Sequence, residues 1–341
     1  MNSTVIAIDL AKDVFEVAVS HIEGKVAERR RTTRAKLQEW IATVPPATVL
    51  LEACGTAHYW ARVISGLGHK VILIPPHVVR RYVAGNKTDR TDTKALLEAY
   101  RNEEIHPVPM KSEAQQGVMS LHRLRSGWMG TRTARMNEIR GLLREFGLTI
   151  PLGADRFMER ATKIIHNDES PLPLPLKTAF EAALKELLEL EERIDAVDKS
   201  LARVARQTPL VKLLQTIPGV GNLTASAAAA SLVDFHRFKS GRQLASSLGL
   251  TPREHSSGNR RFLGRITKRG DRYLRTNLIH GSRSVLRAAK KKVNPSRLEA
   301  WALELERTIG HNKAAVALAN KQARLLWVVA TRGVAYQPHS V

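Results

Sequence analysis

The hydrophobic pattern changes period along the chain. Residues 4–9 (TVIAID) form a short apolar, β-branched run. Val14–Ser20 follows at hairpin distance, with Phe15, Val17 and Val19 alternating against Glu16 and Ala18, so both segments predict strands. A helical piece over 35–42 precedes the apolar run 48–51, and a helical stretch over 58–67 precedes the strand-like run 68–74 (GHKVILI). Strands alternating with helices predict an α/β domain with a mixed sheet over residues 1–110.

From about 113 to 146 the period becomes helical, with Arg123, Arg125, Arg132, Arg135, Arg140 and Arg144 along it. These are too many for one face, so some must meet a partner or acids such as Glu138 and Glu145. The proline-rich break 170–175 (SPLPLP) then opens a sustained helix. Its apolar positions Leu176, Phe180, Ala183, Leu187, Leu190, Ile194, Val197, Leu201 and Val204 recur at alternating spacings of four and three. That is the heptad seam of a coiled coil. Two partners are open, an internal antiparallel helix or a second subunit; the basic 113–146 helix is not an obvious mate, which favours self-association. Residues 111–208 are accordingly expected to form a helical linker and oligomerisation region.

Pro209 ends that helix, and residues 209–332 read as a second, mainly helical domain followed by a tail, 333–341, disordered from 335. Near its start, IPGVG lies between two helical stretches. This is the pattern of a helix-hairpin-helix turn, in which Gly219 and Gly221 bring backbone N–H groups and a helix N-terminus close to a phosphate. A tight helix connection without ligand is the plainer alternative.

Composition adds a partner class. The formal net charge is +22 over 341 residues, an argument for an anionic polymer rather than for any fold. The chain opens without the basic, apolar and small-residue succession of a secretory signal, and no window reaches the length of a spanning helix, so a soluble cytoplasmic protein without membrane contact is expected. A single cysteine, Cys54, excludes an internal disulfide and a multi-cysteine zinc knuckle, and reads as a small buried hydrophobe.

The candidate chemistry divides between the two ends. In the first domain Asp9 and Glu52 each close a strand, where ligands of α/β sheets gather. Asp89 and Asp92 are three apart, hence on one face of a helix's first turn, although Asp92 alone also suits an N-cap. Four converging carboxylates would repel unless a divalent cation held them, and hard oxygen ligands describe Mg²⁺ or Mn²⁺. Asp13 reads as a turn residue, and His58, in HYWARVI, as the start of a buried helix.

In the second domain, the 40 residues 253–292 carry 13 Lys and Arg against Glu254 and Asp271. Arg253, Arg260 and Arg261 surround the pair Ser256 and Ser257, while Lys268, Arg269, Arg272 and Arg275 line a helix entrance suited to clamping a phosphate backbone. His255 reads equally as a base or as a phosphate contact. The serines are either loop hydroxyls that cap amides or, with cations to stabilise charge on phosphorus, a nucleophile.

The succession AIDLAKDVFEVAV, LLEACGTAHYWARVI, NKTDRTDTKALLEAY, TIPGVGNLTASAAAA and LGLTPREHSSGNRRFLGRITKRGDRYLR resembles the DEDD-type transposases of bacterial insertion sequences, a family related to the Piv and MooV DNA invertases. The likeness covers most of the chain. It implies an α/β plus α protein: an RNase H-like (RuvC-like) mixed-sheet domain with Asp9, Glu52, Asp89 and Asp92 as its metal-binding acids, coiled-coil helices, and a C-terminal domain in which Ser257, immediately before Gly258, is the nucleophile. It further implies cutting and rejoining of DNA at element ends and target through a phosphoserine intermediate. A structured guide RNA and a homo-oligomer, dimer or tetramer, whose composite site draws on two subunits belong to the same implication. Two rivals remain: a metal nuclease of the junction-resolvase type that uses Ser257 only for contact, and a non-catalytic nucleic-acid binder.

Overall fold

Apolar alternation in the first segment is realised as one sheet in the computed structural model, which describes residues 4–22, 25–84, 88–154 and 156–338. The chain divides into two units, Met1–Glu113 and Ala114–Val341.

In the first unit, β1 (Val5–Asp9), β2 (Val14–Ser20), β3 (Glu28–Thr33), β4 (Thr48–Glu52) and β5 (Lys70–Ile74) form a five-stranded sheet of order β3-β2-β1-β4-β5. β1–β2 and β2–β3 pair antiparallel, β1–β4 and β4–β5 parallel, so the sheet is mixed as expected. α1 (Arg34–Thr43) and α2 (Ala57–Gly66) follow the expected pieces closely; α3 (Pro76–Val79), a 3₁₀ turn at Arg80–Tyr82 and α4 (Asp89–Tyr100) complete the unit. Strand alternation divides the core between the two sheet faces. Ile6, Ile8, Phe15, Val17, Val49 and Leu51 pack on one with Trp60 and Ile64 of α2. Ala7, Ala18, Leu50 and Ile74 pack on the other with Ala95, Leu96 and Ala99 of α4. Strand β3 is not legible from periodicity: its sequence is ERRRTT and only Thr32 is buried, because it is an edge strand whose stability comes from ladder bonds to β2.

The second unit contains α5 (Glu113–Arg144), α6 (Phe157–Ile165), α7 (Leu174–Gln207), α8 (Pro209–Leu214), α9 (Asn222–Leu232), α10 (Gly241–Ser247), the two-stranded β6 (Pro252–Glu254) and β7 (Leu263–Ile266), α11 (Arg272–Ala289), α12 (Arg297–Ile309) and α13 (His311–Arg332). The heptad seam of α7 is filled from within the chain, which corrects the expectation of a partner subunit there. Phe180, Leu184, Leu187 and Leu190 pack with Met136, Ile139 and Leu143 of α5 and with α6. The arginines that made α5 look unsuitable are what select it. Arg125 pairs with Asp198 at 2.5 Å, Arg132 with Glu191 at 3.1 Å and Arg135 with Glu186 at 2.7 Å. As the α5 number rises the α7 number falls, so the helices run antiparallel.

Several polar side chains are buried in this unit, and one of them is an imidazole. His122 on α5 is 1 % exposed. Its Nδ1 meets the Tyr273 hydroxyl at 2.9 Å and its Nε2 the Ser226 hydroxyl at 3.1 Å. Ser226 Oγ already donates to the Asn222 carbonyl at 2.6 Å, so it accepts from Nε2–H, and Nδ1 accepts from Tyr273. Burial, and then the charge of Arg125, push the imidazole down to about 4. The expected disorder from 335 is corrected up to residue 338: Tyr336 is half-buried, and its amide donates to Thr216 Oγ1 at 2.8 Å. Residues 339–341 lie outside the described residues. Among the described residues, no helix is long and apolar enough to cross a membrane.

Candidate functional site

Parallel pairing of β1 with β4 ends at Ile8 opposite Leu51, so Asp9 and Glu52 are the next residues on neighbouring strands. Ala7 and Leu50, two residues earlier, face α4, and a period of two directs Asp9 and Glu52 to that same side. Both acids bear on one nearby thiol. Half-buried Cys54 is raised chiefly by burial and then by the charges of Glu52 and Asp9; it packs on the other sheet face as a small hydrophobe.

Helix α4 begins with a capping box: Thr91 N–H donates to Thr88 Oγ1 at 3.3 Å and Thr88 N–H donates to Thr91 Oγ1 at 2.8 Å. Thr88 is therefore the N-cap, and the N-cap alternative for Asp92 falls away. Asp92 is buried and lies one turn before Leu96 on the face that packs against the sheet, while Asp89 is exposed. The first turn is fixed at Asp9's end of the sheet. Arg90 Nε approaches Glu16 Oε1 at 4.0 Å, and Glu16 is the register partner of Asp9. The four acids thus share one side and one end of the sheet. Their donor set, all carboxylate oxygen, suits a hard divalent cation. Among the described residues, no three His, Cys, Asp or Glu side chains are grouped to hold a metal ion as they stand.

Sequence reasoning passed over Glu16. It is 8 % exposed and alternates with Ala18 onto the α4 face. Arg29 and Arg90 each stand 4.0 Å from its Oε1. Its signal was available, since it is the one charged residue within the β2 alternation. Arg29, Arg30 and Arg31 of β3, the N-cap Thr88, and Asp89 and Arg90 of α4 line a groove of about 320 Å³ beside it. His58 is engaged by Lys111: its Nδ1 accepts from the Lys111 amide at 3.3 Å, and its Nε2 lies 3.1 Å from Lys111 Nζ.

In the second unit, β6 and β7 form an antiparallel hairpin with an irregularity between Pro252 and Glu254. A bridge between Ser257 and Arg260 closes its tip, where Gly258 has φ +55°, a left-handed conformation that a Cβ disfavours. The two serines separate here. Ser256 Oγ donates to Glu254 Oε1 at 2.8 Å and accepts from Phe262 N–H at 3.3 Å, so it is committed to the hairpin. Arg261 Nε completes the cluster at 3.1 Å from Glu254, whose carboxyl is held below its usual range by Ser256 and then Arg261. Ser257 Oγ has no hydrogen-bond partner among the described residues. It is exposed, as are Arg253, His255, Arg260 and Arg261, and Phe262 beside them is 64 % exposed.

Lys268, Arg269 and Arg272 are exposed, as a clamp requires. Arg275 is not: it is 7 % exposed, and its Nη1 donates to the carbonyls of Leu248 at 3.0 Å and Arg269 at 2.9 Å. That corrects its assignment to the backbone clamp, because its guanidinium satisfies main-chain acceptors inside the unit. Gly219 is likewise explained by packing. Its φ is +80°, and a Cβ there would lie 2.5 Å from Gln322 Nε2 and 2.8 Å from the Gly281 carbonyl of α11. Gly221 is exposed at the N-cap of α9.

Comparison with known proteins agrees in both units. Residues 6–147 match a family model for DEDD transposases of the IS110 type, and residues 211–296 match the model described as the transposase IS116/IS110/IS902 family. A probable family 20 transposase of Pseudomonas aeruginosa is 42 % identical over 339 residues, 99 % of this chain and 100 % of its own. The transposase for insertion sequence element IS1111A of Coxiella burnetii is 40 % identical, covering 98 % of this chain and 91 % of its own. The transposase for IS1328 of Yersinia enterocolitica is 35 % identical over 98 % of this chain and 99 % of its own.

Proposed function

Because this chain belongs to the IS116/IS110/IS902 transposase family and is an insertion-sequence transposase acting on DNA, we propose that it cuts and rejoins strands through a phosphoserine formed at Ser257. The observation that carries this reading is the division of labour at the hairpin: Ser256 is hydrogen-bonded on both sides, whereas Ser257 Oγ stands exposed among arginines. Ser257 Oγ attacks the scissile phosphorus, the new P–O bond replaces the bond to the leaving strand's oxygen, and the hydroxyl proton passes to a base. A hydroxyl of the second strand then attacks the same phosphorus and releases the serine, so bond energy is conserved without a nucleotide cofactor. Arg253, Arg260 and Arg261 offset charge on the phosphorus oxygens, and Lys268, Arg269 and Arg272 hold the backbone. The exposed N-terminus of α9 at Gly221 serves as a phosphate contact of helix-hairpin-helix type.

Asp9, Glu52, Asp89 and Asp92, in an RNase H-like arrangement, would hold Mg²⁺ or Mn²⁺. When bound, the ion neutralises their repulsion and acidifies a nearby hydroxyl. The acids and the serine belong to separate units, which suits a composite site shared between subunits of a homo-oligomer. With the α7 seam filled internally, that association must use other surfaces. A structured guide RNA fits the strong positive charge, base pairing then reading sequence while the protein reads backbone.

The test is formation of joined product from element-end and target DNA, with RNA transcribed from the element's flanks and Mg²⁺. Ser257→Ala, Asp9→Asn and Glu52→Gln should each lower the yield by on the order of a thousandfold or more, as should chelation of the metal, while Ser256→Ala keeps activity within about tenfold. Cleavage to free ends without joined product, unaffected by Ser257→Ala, would leave a metal nuclease as the better reading.

A further inference from the structure

A second groove in the serine-bearing unit lies outside everything assigned so far. It holds about 480 Å³. Its walls are of two kinds. Pro252 and Ile266, with Val316 beneath, give an apolar floor, and the half-buried Trp301 indole stands beside them. Lys313, Lys321 and Arg324 of α13 supply positive charge, and no carboxylate lines the groove.

Some neighbouring cations are matched: Lys290 with Glu306 at 2.8 Å, Lys292 with Glu299 at 2.6 Å and Arg307 with Glu304 at 2.8 Å. Lys313, Lys321 and Arg324 make no ion pair among the described residues, although α12, which carries those acids, packs directly on α13. Lys321 is additionally half-buried, with its Nζ 4.3 Å from the Trp301 ring centroid. Three unmatched cations around an apolar, aromatic-walled groove are complementary to a ligand that is anionic at one end and flat and apolar at the other. A volume in the small-molecule range admits a nucleotide or two and excludes a duplex. Aromatic wall and cationic rim together are the means by which single strands are held.

Position narrows the ligand further. Pro252 pairs with Ile266 at the foot of the hairpin whose tip carries Ser257, and the five-residue step between them spans at most roughly 16 Å even at full strand rise. A strand whose phosphate lies at the tip therefore has its neighbouring nucleotides within reach of the groove. We infer that this groove binds single-stranded DNA flanking the scissile phosphate, with an unstacked base against Ile266 and Trp301 and its phosphate between Lys313 and Arg324. The inference rests on the reading that the scissile phosphate lies at Ser257, whereas binding of a single strand in the groove is read by the crosslink alone.

The experiment uses the full chain with Ser257→Ala, so that no cleavage intervenes, and a short single-stranded oligodeoxynucleotide containing 5-bromouracil. Irradiation followed by peptide mass spectrometry locates the contact. Crosslinks are expected at Trp301 or Ile266, and their yield should fall about tenfold in Lys313→Gln/Arg324→Gln, the range of one lost base contact. Both positions are exposed, and an unchanged circular dichroism spectrum verifies the variant's fold. Trp301→Leu, which keeps an apolar side chain, should give a similar loss. Crosslinks mapping elsewhere, or undiminished in the charge variant, would overturn the site. A matched bromouracil ribo-oligonucleotide crosslinking as well or better would overturn its assignment to DNA.

Discussion

Ser257 and Ser256 are adjacent and chemically identical, and the structure distinguishes them by what each touches rather than by type. The same lesson applies to Arg275 and Gly219. In the sequence both sit inside basic or glycine-rich motifs and read as phosphate contacts; in the fold one satisfies two carbonyls and the other admits α11. Charge and glycine are visible in a sequence, but the tertiary neighbour that uses them is not. Gly219→Ala should accordingly act on stability: a methyl group meeting a backbone carbonyl at 2.8 Å and a φ of +80° should cost about 2–4 kcal/mol. Denaturant unfolding measures it, and a loss of DNA binding without loss of stability would restore the phosphate-contact reading. Glu16 was missed for the converse reason. An acid in a strand pattern reads as the solvated face, yet here both sheet faces are covered.

At the scale of elements, the strands and helices around the acids were legible because each carries a clean period, and β3 was not because an arginine-rich edge strand has none. The α7 seam was legible as a seam, while its partner was obscured. The helix that fills it advertises arginines, and only three-dimensional pairing with Asp198, Glu191 and Glu186 neutralises them. Leu187→Ala, at a position 1 % exposed, should cost about 2–5 kcal/mol in unfolding experiments and leave the solution mass unchanged. A fall in mass without a fall in stability would place the seam between subunits after all. The His122 contact between α5, α9 and α11 gives this unit a pH dependence. An imidazole that titrates at about 4 when folded and near 6.5 when unfolded binds its proton more readily in the unfolded chain. Its contribution is therefore complete above about pH 6.5 and is lost as pH falls toward 4, by up to about 3 kcal/mol. Thermal unfolding from pH 7 to 4 should show this slope, and His122→Gln should flatten it; an equal slope in the variant would assign the acid sensitivity to other groups.

Over the whole molecule, an excess of +22 is distributed unevenly. Acids of α7 pair with the arginines of α5, while Arg253 and Arg260 of the hairpin, Lys268, Arg269 and Arg272 before and at the start of α11, and Lys313 and Arg324 of α13 stay exposed. The order of motifs was readable along the chain, since strand ends, a capped helix and a serine-glycine turn each leave a local trace. That Asp9 and Glu52 end neighbouring parallel strands was not, because strand order and register are set by tertiary pairing rather than by local sequence. The central claim, that strand transfer passes through Ser257, is tested most directly by trapping the protein on element-end DNA with Mg²⁺ and its RNA, denaturing, digesting both polymers and sequencing the nucleotide-bearing peptide by mass spectrometry. The account predicts one modified peptide with the nucleotide on Ser257, absent from Ser257→Ala. Cleaved DNA with no nucleotide-bearing peptide, or a nucleotide on Ser256, would contradict it.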